Sequence, residues 1–159
     1  MKRIMADETE PDVRPANYCS VERGRLCGPR RIRDFEMLLA LRGRFEFINH
    51  ETGEHIVQEP GTLLVIYPDE LHTYRLDPLS RKEGFFSCIH LELRKDVDRK
   101  KNPLRPHPFP RRLTNCANDS RIQELFKKVE HENTCGGTYR DALLSLVVKE
   151  IWLRLSEKW

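Results

Sequence analysis

Six histidines are the residues with the widest chemical reach in this chain, and their spacing decides how much of it is usable. A catalytic metal needs about three protein ligands that converge and leave a position open. His50 and His55 flank a predicted hairpin turn and are expected at the surface. His107 stands among prolines, and His131 on the polar side of a predicted helix. His72 and His90 lie on separate predicted strands whose side chains can reach one cavity, with Glu92 a distant third. Two convergent histidines fall short of a ligand set. The expectation is histidines hydrogen-bonded in or beside a pocket, with no metal and no cofactor. Nucleophilic catalysis has less support still. No G-x-S-x-G turn is present, and Cys88 shares a strand face with His90 without a third, orienting group. Cys88 reads as a small core residue. Neither common phosphate-cradling glycine loop occurs. These residues point to a chain that binds a molecule and is not an enzyme.

Alternation with a period of two puts His72 and Tyr74 on one face of their strand, and Phe86, Cys88 and His90 on one face of theirs. Aromatic walls with a few hydrogen-bonding groups suit a neutral polar ligand, such as a sugar or a related metabolite. The same residues also describe a barrel filled by its own core.

Those strands must be positioned by a β-rich scaffold. From about residue 18 to residue 93, short apolar runs are broken every ten or so residues by Gly, Pro, Asn or Asp, the pattern of a sandwich or barrel. Residues 35–41 (FEMLLAL) are nearly continuously apolar, as in a strand buried on both faces. Phe45 and Phe47 alternate with Glu46, and residues 49–54 form a hairpin turn. Pro60 and Gly61 suit the centre of a type II turn before residues 62–67 (TLLVIY). Residues 85–93 (FFSCIHLEL) form the last strong strand. Four prolines between residues 95 and 110 predict an irregular connection. Two helices follow. Ser120 with Gln123 is a capping-box pair ahead of Ile122, Leu125, Phe126 and Val129, and Thr138 with Asp141 caps a second helix running to about Glu157. That helix carries Leu144, Val147, Val148, Ile151 and Leu155 on one side, and Tyr139, Leu143, Leu146, Glu150 and Leu153 on another. So wide an apolar surface exceeds what covering one barrel requires. One stripe is expected on the chain's own domain and the other on a second copy, with Leu143, Leu144, Val147, Val148, Ile151 and Leu155 as the dimerisation set. A helix sandwiched within one chain is the alternative.

Charge and composition narrow the partners. The chain has 28 basic and 25 acidic residues, a net +3, with basic side chains gathered only locally at Arg30, Arg31 and Arg33, at residues 94–101, and at Arg111 with Arg112. A DNA-binding module concentrates far more charge on one face. Five scattered cysteines without a C-x-x-C pair fit a reduced, cytoplasmic protein, and no apolar run approaches the roughly 20 residues of a membrane span. The expected organisation is an N-terminal arm (residues 1–16), a barrel (17–112) and a helical segment (113–159).

Residues 61–72 (GTLLVIYPDELH) resemble the second cupin motif, and residues 34–43 (DFEMLLALRG) the strand and glycine that open the first. Residues 88–91 (CIHL) resemble the strand that closes the ligand barrel in the AraC family of transcription regulators, and residues 137–148 (GTYRDALLSLVV) that family's dimerisation helices. The resemblance covers roughly residues 17 to 157. It implies a mainly β cupin, a double-stranded jelly-roll barrel, followed by two α-helices. It further implies a carbohydrate-like effector in the barrel, an arm that folds over the ligand, and a homodimer. DNA contact would come only through helix-turn-helix units outside this chain, which is expected as an excised regulatory domain, with a natural stand-alone version as the other reading. By position, Tyr74, Phe86 and Cys88 match sites lining the sugar pocket of a family member. Gly28 falls where that member has a ligand-binding arginine, with Arg30 and Arg31 close by; Arg30 joins His72, Tyr74, Phe86, Cys88 and His90 as the expected ligand set. Metal-dependent cupins carry a His-x-His pair and a glutamate in the first motif, where this chain reads FEFINH over residues 45–50. That set is incomplete here, which argues against a cupin dioxygenase or isomerase; a metal-dependent cupin enzyme using His72, His90 and a carboxylate is the alternative.

Overall fold

The apolar run at the centre of the chain is a wall between two cores. In the computed structural model, which describes residues 2–94 and 104–159, β1 is Lys2–Met5, β2 Asp12–Val21, β3 Leu26–Arg30, β4 Phe35–Arg42, β5 Phe45–Asn49, β6 His55–Gln58, β7 Thr62–Ile66, β8 His72–Leu76, β9 Gly84–Glu92, β10 Leu104–His107 and β11 Leu113–Asn115. The helices are α1, Ser120–Cys135, and α2, Arg140–Ser156. A five-stranded sheet in the order β11-β7-β4-β9-β2 faces a four-stranded sheet, β3-β8-β5-β6. All pairings within these two sheets are antiparallel. This is the cupin-type jelly-roll barrel followed by two helices.

β4 sits in the middle of the larger sheet, so both of its faces are covered. Leu38 and Ala40 point between the sheets with Leu64, Ile66, Phe86 and Cys88 from β7 and β9. Phe35, Met37 and Leu39 point the other way, with Leu63, Val65, Ile89 and Leu91, onto the buried faces of α1 and α2. Burying each such side chain stabilises the fold by about 1.5–3 kcal/mol. Pro60 and Gly61 form the expected turn: Thr62 N donates to the Glu59 carbonyl, and Gly61 takes a φ of +79°. A Cβ there would lie 2.8 Å from that of Ala117.

Several elements differ from expectation, each for a local reason. The residues expected as an arm are tied down: β1 pairs in parallel with β10, Ile4 is buried among the helix-side core, and β2 runs across residues 16 and 17 along β9. β10 replaces part of the irregular connection. Pro106 is tolerated because this ribbon has only two strands, where a missing N–H costs no interior hydrogen bond. The basic run from residue 95 onward lies outside the described residues. β11 lies beyond residue 112 and closes the edge of the five-stranded sheet against β7.

α1 is capped by Asp119 rather than Ser120; its carboxylate accepts from Ile122 N at 3.1 Å, and Gln123 donates instead to the carbonyls of Cys116 and Ala117. α2 begins at Arg140 without a side-chain cap, although Thr138 and Asp141 were expected to supply one. The α2 stripe of Leu144, Val147, Val148, Ile151 and Leu155, with Trp152, is buried inside this same chain. Of the expected dimerisation set, Leu143 alone remains exposed, beside Leu146 and Tyr139. Trp152 was absent from the expected stripes, yet it is fully buried and meets Phe35 edge-on at 5.7 Å between ring centroids.

Candidate functional site

The space between the two sheets is divided into an apolar part and a charged part. In the apolar part, Tyr74 of β8 stacks on Phe45 at 5.2 Å, and both rings meet Phe86 of β9 edge-on. The Tyr74 hydroxyl donates to Gln58 Oε1 at 2.7 Å. Gln58 in turn donates to the carbonyls of Leu38 and Thr62, each at 2.8 Å. Tyr74, Phe45, Phe86 and Gln58 are all buried, and burial pushes the Tyr74 hydroxyl well above the usual tyrosine range. Two residues expected on a ligand, Tyr74 and Phe86, here pack against each other.

The charged part is centred on Glu36 of β4, a carboxylate that is 2% exposed inside an otherwise apolar strand. Arg30 Nη2 donates to both of its oxygens at 2.9 Å. His90 Nε2 lies 3.2 Å from Glu36 Oε1, and the Cys88 thiol donates to that same oxygen at 3.3 Å. The second nitrogen of His90 faces Asp34 Oδ1, also at 3.2 Å. The β4–β9 register places Glu36 directly opposite His90 and Leu38 opposite Cys88, so the cluster is fixed by two adjacent strands of the sheet. Arg30 arrives from β3 with its side chain 40% exposed, so the cluster reaches solvent through it.

Electrostatics follow the geometry. Burial by itself would raise the Glu36 carboxyl; hydrogen bonding and charge from His90, then Arg30 and the Cys88 thiol, hold it below the usual carboxylate range. Burial pulls His90 down, but the hydrogen bonds and charges of Asp34 and Glu36 carry it up to about 9, so it is an imidazolium at neutral pH. Burial, reinforced by Glu36, pushes the Cys88 thiol well above its ordinary value, which makes it a donor rather than a nucleophile.

His72 is fully buried on β8, opposite Arg30 on β3 and Asn49 on β5, with its ring lying against Phe47. Its Nδ1 donates to the Glu70 carbonyl at 3.0 Å. Burial, then the Arg30 charge, lowers its pKa, so it is neutral and its Nε2 presents a lone pair. That Nε2 has no protein partner, and neither does the buried Nε of Arg30. Gly28 is what lets β3 approach so closely: at φ +125°, a Cβ there would lie 2.5 Å from the His72 carbonyl oxygen.

Arg30, Cys88 and His90, three of the residues expected on a ligand, lie together around Glu36 and Asp34, neither of which was in the expected set. Among the described residues, the donor atoms that cluster as metal ligands do are those of Glu36, Cys88 and His90. His72 lies outside that group, and Glu92 is paired with Arg14 on the outer surface. Asn49 and His50, at the first-motif positions, are engaged otherwise. Asn49 Oδ1 caps the amides of Glu51 and Thr52, and His50 Nε2 is 2.8 Å from Thr73 Oγ1.

No family model and no curated protein matches the chain. Solved structures do. Apo ToxT from Vibrio cholerae, a variant, superposes over 94% of this chain with a TM-score of 0.58 at 13% identity, the match taking in 57% of that chain. Wild-type ToxT with unsaturated fatty acid bound superposes over 91% with a TM-score of 0.54 at 10% identity and 55% of its own length. A Cupin 2 conserved barrel domain protein from Salinispora arenicola matches over 52% of this chain and 75% of its own, with a TM-score of 0.42 at 16% identity. At these identities the likeness is one of fold, and the chain spans a little over half the length of the ToxT structures. No described helix is long and apolar enough to cross a membrane.

Proposed function

We propose that this chain is the effector-sensing domain of an AraC-type bacterial transcription regulator, taking a small polar, carbohydrate-like molecule at the Arg30–Glu36–His90 side of the barrel. One observation carries the reading. A jelly-roll interior holds a buried charged cluster, open to solvent through Arg30, with two inward nitrogens lacking partners, Arg30 Nε and His72 Nε2. Buried polar groups without partners cost about 1–3 kcal/mol each, a cost that a ligand supplying both an acceptor and a donor removes. A polyhydroxylated molecule supplies both. The long apolar tail of a fatty acid suits this side of the barrel less, because the apolar part is filled by Phe45, Tyr74 and Phe86.

The cluster binds rather than transforms: its strongest base is an already protonated His90, and its thiol is held protonated. Dimerisation would use the exposed α2 face of Tyr139, Leu143 and Leu146, and DNA would be met only through helix-turn-helix units outside this chain. The protein would work in the cytoplasm. The test is a thermal-shift panel of sugars, sugar acids and fatty acids, run with chelator present, beside sedimentation at micromolar concentration. A sugar-class compound is expected to raise the Tm, and Arg30→Ala to abolish the rise. A rise confined to fatty acids, or none with any compound, overturns the ligand reading; a purely monomeric protein overturns the dimer.

A further inference from the structure

We propose that Glu36, Cys88 and His90 form a binding site for a borderline divalent transition metal, with zinc or cobalt the best match, and that Asp34 positions His90 for it. The inference goes beyond the sensor reading while sharing residues with it. The three donor atoms lie within 4.8 Å of one another. Two of the separations are close to those of a coordination polyhedron. Metal bonds of about 2.0–2.3 Å in a tetrahedron put neighbouring donors roughly 3.3–3.7 Å apart. His90 Nε2 and Cys88 Sγ stand 3.2 and 3.3 Å from Glu36 Oε1.

The surroundings are those of a held ligand set. Asp34 accepts from His90 Nδ1, the carboxylate–histidine arrangement that fixes the ring with its other nitrogen toward a metal. All three ligands come from β4 and β9, in register at the middle of the larger sheet, so none sits on a mobile loop. Thiolate, imidazole and carboxylate together select zinc-like ions over calcium or magnesium, which take oxygen alone. Binding is balanced in charge and atoms. The cation displaces one proton from Cys88 Sγ and one from His90 Nε2, both of which leave to solvent, and the thiolate and carboxylate neutralise its two charges. Arg30 gives up Glu36 Oε1 and keeps its bond to Oε2. The site is not the first-motif set of metal-binding cupins, whose positions Asn49 and His50 have other partners here.

The full chain, stripped with chelator and kept reduced, is titrated with Co2+ as probe. The expected result is a near-ultraviolet sulfur-to-cobalt charge-transfer band saturating at one equivalent and lost on adding Zn2+. Cys88→Ser should abolish the band, and Cys135→Ser, which removes the exposed thiol, should leave it. His90→Gln should lower cobalt affinity by at least tenfold. Asp34→Asn should weaken it by about 10–100-fold while the band keeps its position, as expected of a positioning residue. Each variant is checked for a cooperative melt. If Cys88→Ser does not fold, the tenfold or greater loss of cobalt affinity in His90→Gln carries the test, and an unchanged affinity there overturns the proposal. Absence of any band at one equivalent overturns the proposal, as does a band that survives Cys88→Ser and disappears in Cys135→Ser. Because the effector panel is run in chelator, failure here leaves the sensor reading standing, and the converse holds.

Discussion

Removing a single oxygen at Tyr74 tests how the barrel interior is divided. Gln58 cannot adapt to the loss. Its amide nitrogen donates to the Leu38 and Thr62 carbonyls, each at 2.8 Å, which fixes the orientation of the side chain and aims Oε1 at the tyrosine. Both residues are buried, Gln58 completely and Tyr74 to within 2%. In Tyr74→Phe the ring keeps its contacts with Phe45 and Phe86, so little packing is lost. What changes is that Gln58 Oε1 is left buried without a donor, at a cost of about 1–3 kcal/mol. For a chain of this size that corresponds to a Tm lower by roughly 2–12 °C, taking about 2–4 °C per kcal/mol. Gln58→Leu should cost more, since it orphans two carbonyls and the hydroxyl. In urea unfolding, the double variant should then fall short of additivity by at least about 0.5 kcal/mol. The slope m should not change, because the packing does not. The effector thermal shift should persist in Tyr74→Phe. If stability stays within about 0.5 kcal/mol of wild type while the effector response vanishes, the hydroxyl belongs to the ligand and the reasoning is refuted.

Other expectations follow from the same contacts. Leu144→Ala should destabilise by about 2–5 kcal/mol and Leu146→Ala by less than about 0.5, as read by denaturant unfolding; equal effects would show that the buried stripe of α2 has been misassigned. Gly28→Ala should cost about 1–3 kcal/mol from backbone strain alone, and an unchanged melt would refute the close approach to His72. Asp119→Ala removes the α1 cap and the partner of Lys158, and should cost about 0.5–2 kcal/mol near neutral pH. Burial raises the Asp119 carboxyl, but the Ile122 amide and Lys158 bring it below its ordinary 3.8. Its contribution is therefore present above that value and is lost as pH falls through the depressed one, so wild type and variant should converge in acid unfolding.

The strands could be read because their alternation is a direct consequence of which faces are buried. β5, β7, β8 and β9 fall where Phe45, Leu64, Tyr74 and Cys88 announce them. The nearly continuous apolar character of β4 marked it as two-faced, and it is. The site was only half legible for the same reason. Glu36 sits in a run that reads as nearly continuously apolar, and its carboxylate was given no role. In physical terms it was the strongest signal available, since a charge inside a two-faced strand must find partners. Asp34 entered only as the first residue of the strand expected over residues 34–43, with no partner assigned to it. β3 was not expected because Gly28 and Pro29 interrupt any apolar strand pattern, yet Gly28 is what lets the strand pass close to His72. Which stripe of α2 faces inward was beyond reach from one helix alone. Both stripes are apolar, and only the position of β4 and its neighbours decides between them.

The thickness of the larger sheet sets how far a disturbance in the barrel must travel. Glu36 touches the charged cluster on one side, and its neighbour Phe35 touches Trp152 of α2 on the other. One peptide bond separates them. A close-packed interior has no slack to absorb a displacement of that bond. Any movement of Glu36 large enough to reorganise Arg30 and His90 is also a movement of the floor on which α2 rests. The barrel and the helices thus lie on the two sides of one strand, like the two skins of a drum on a single frame.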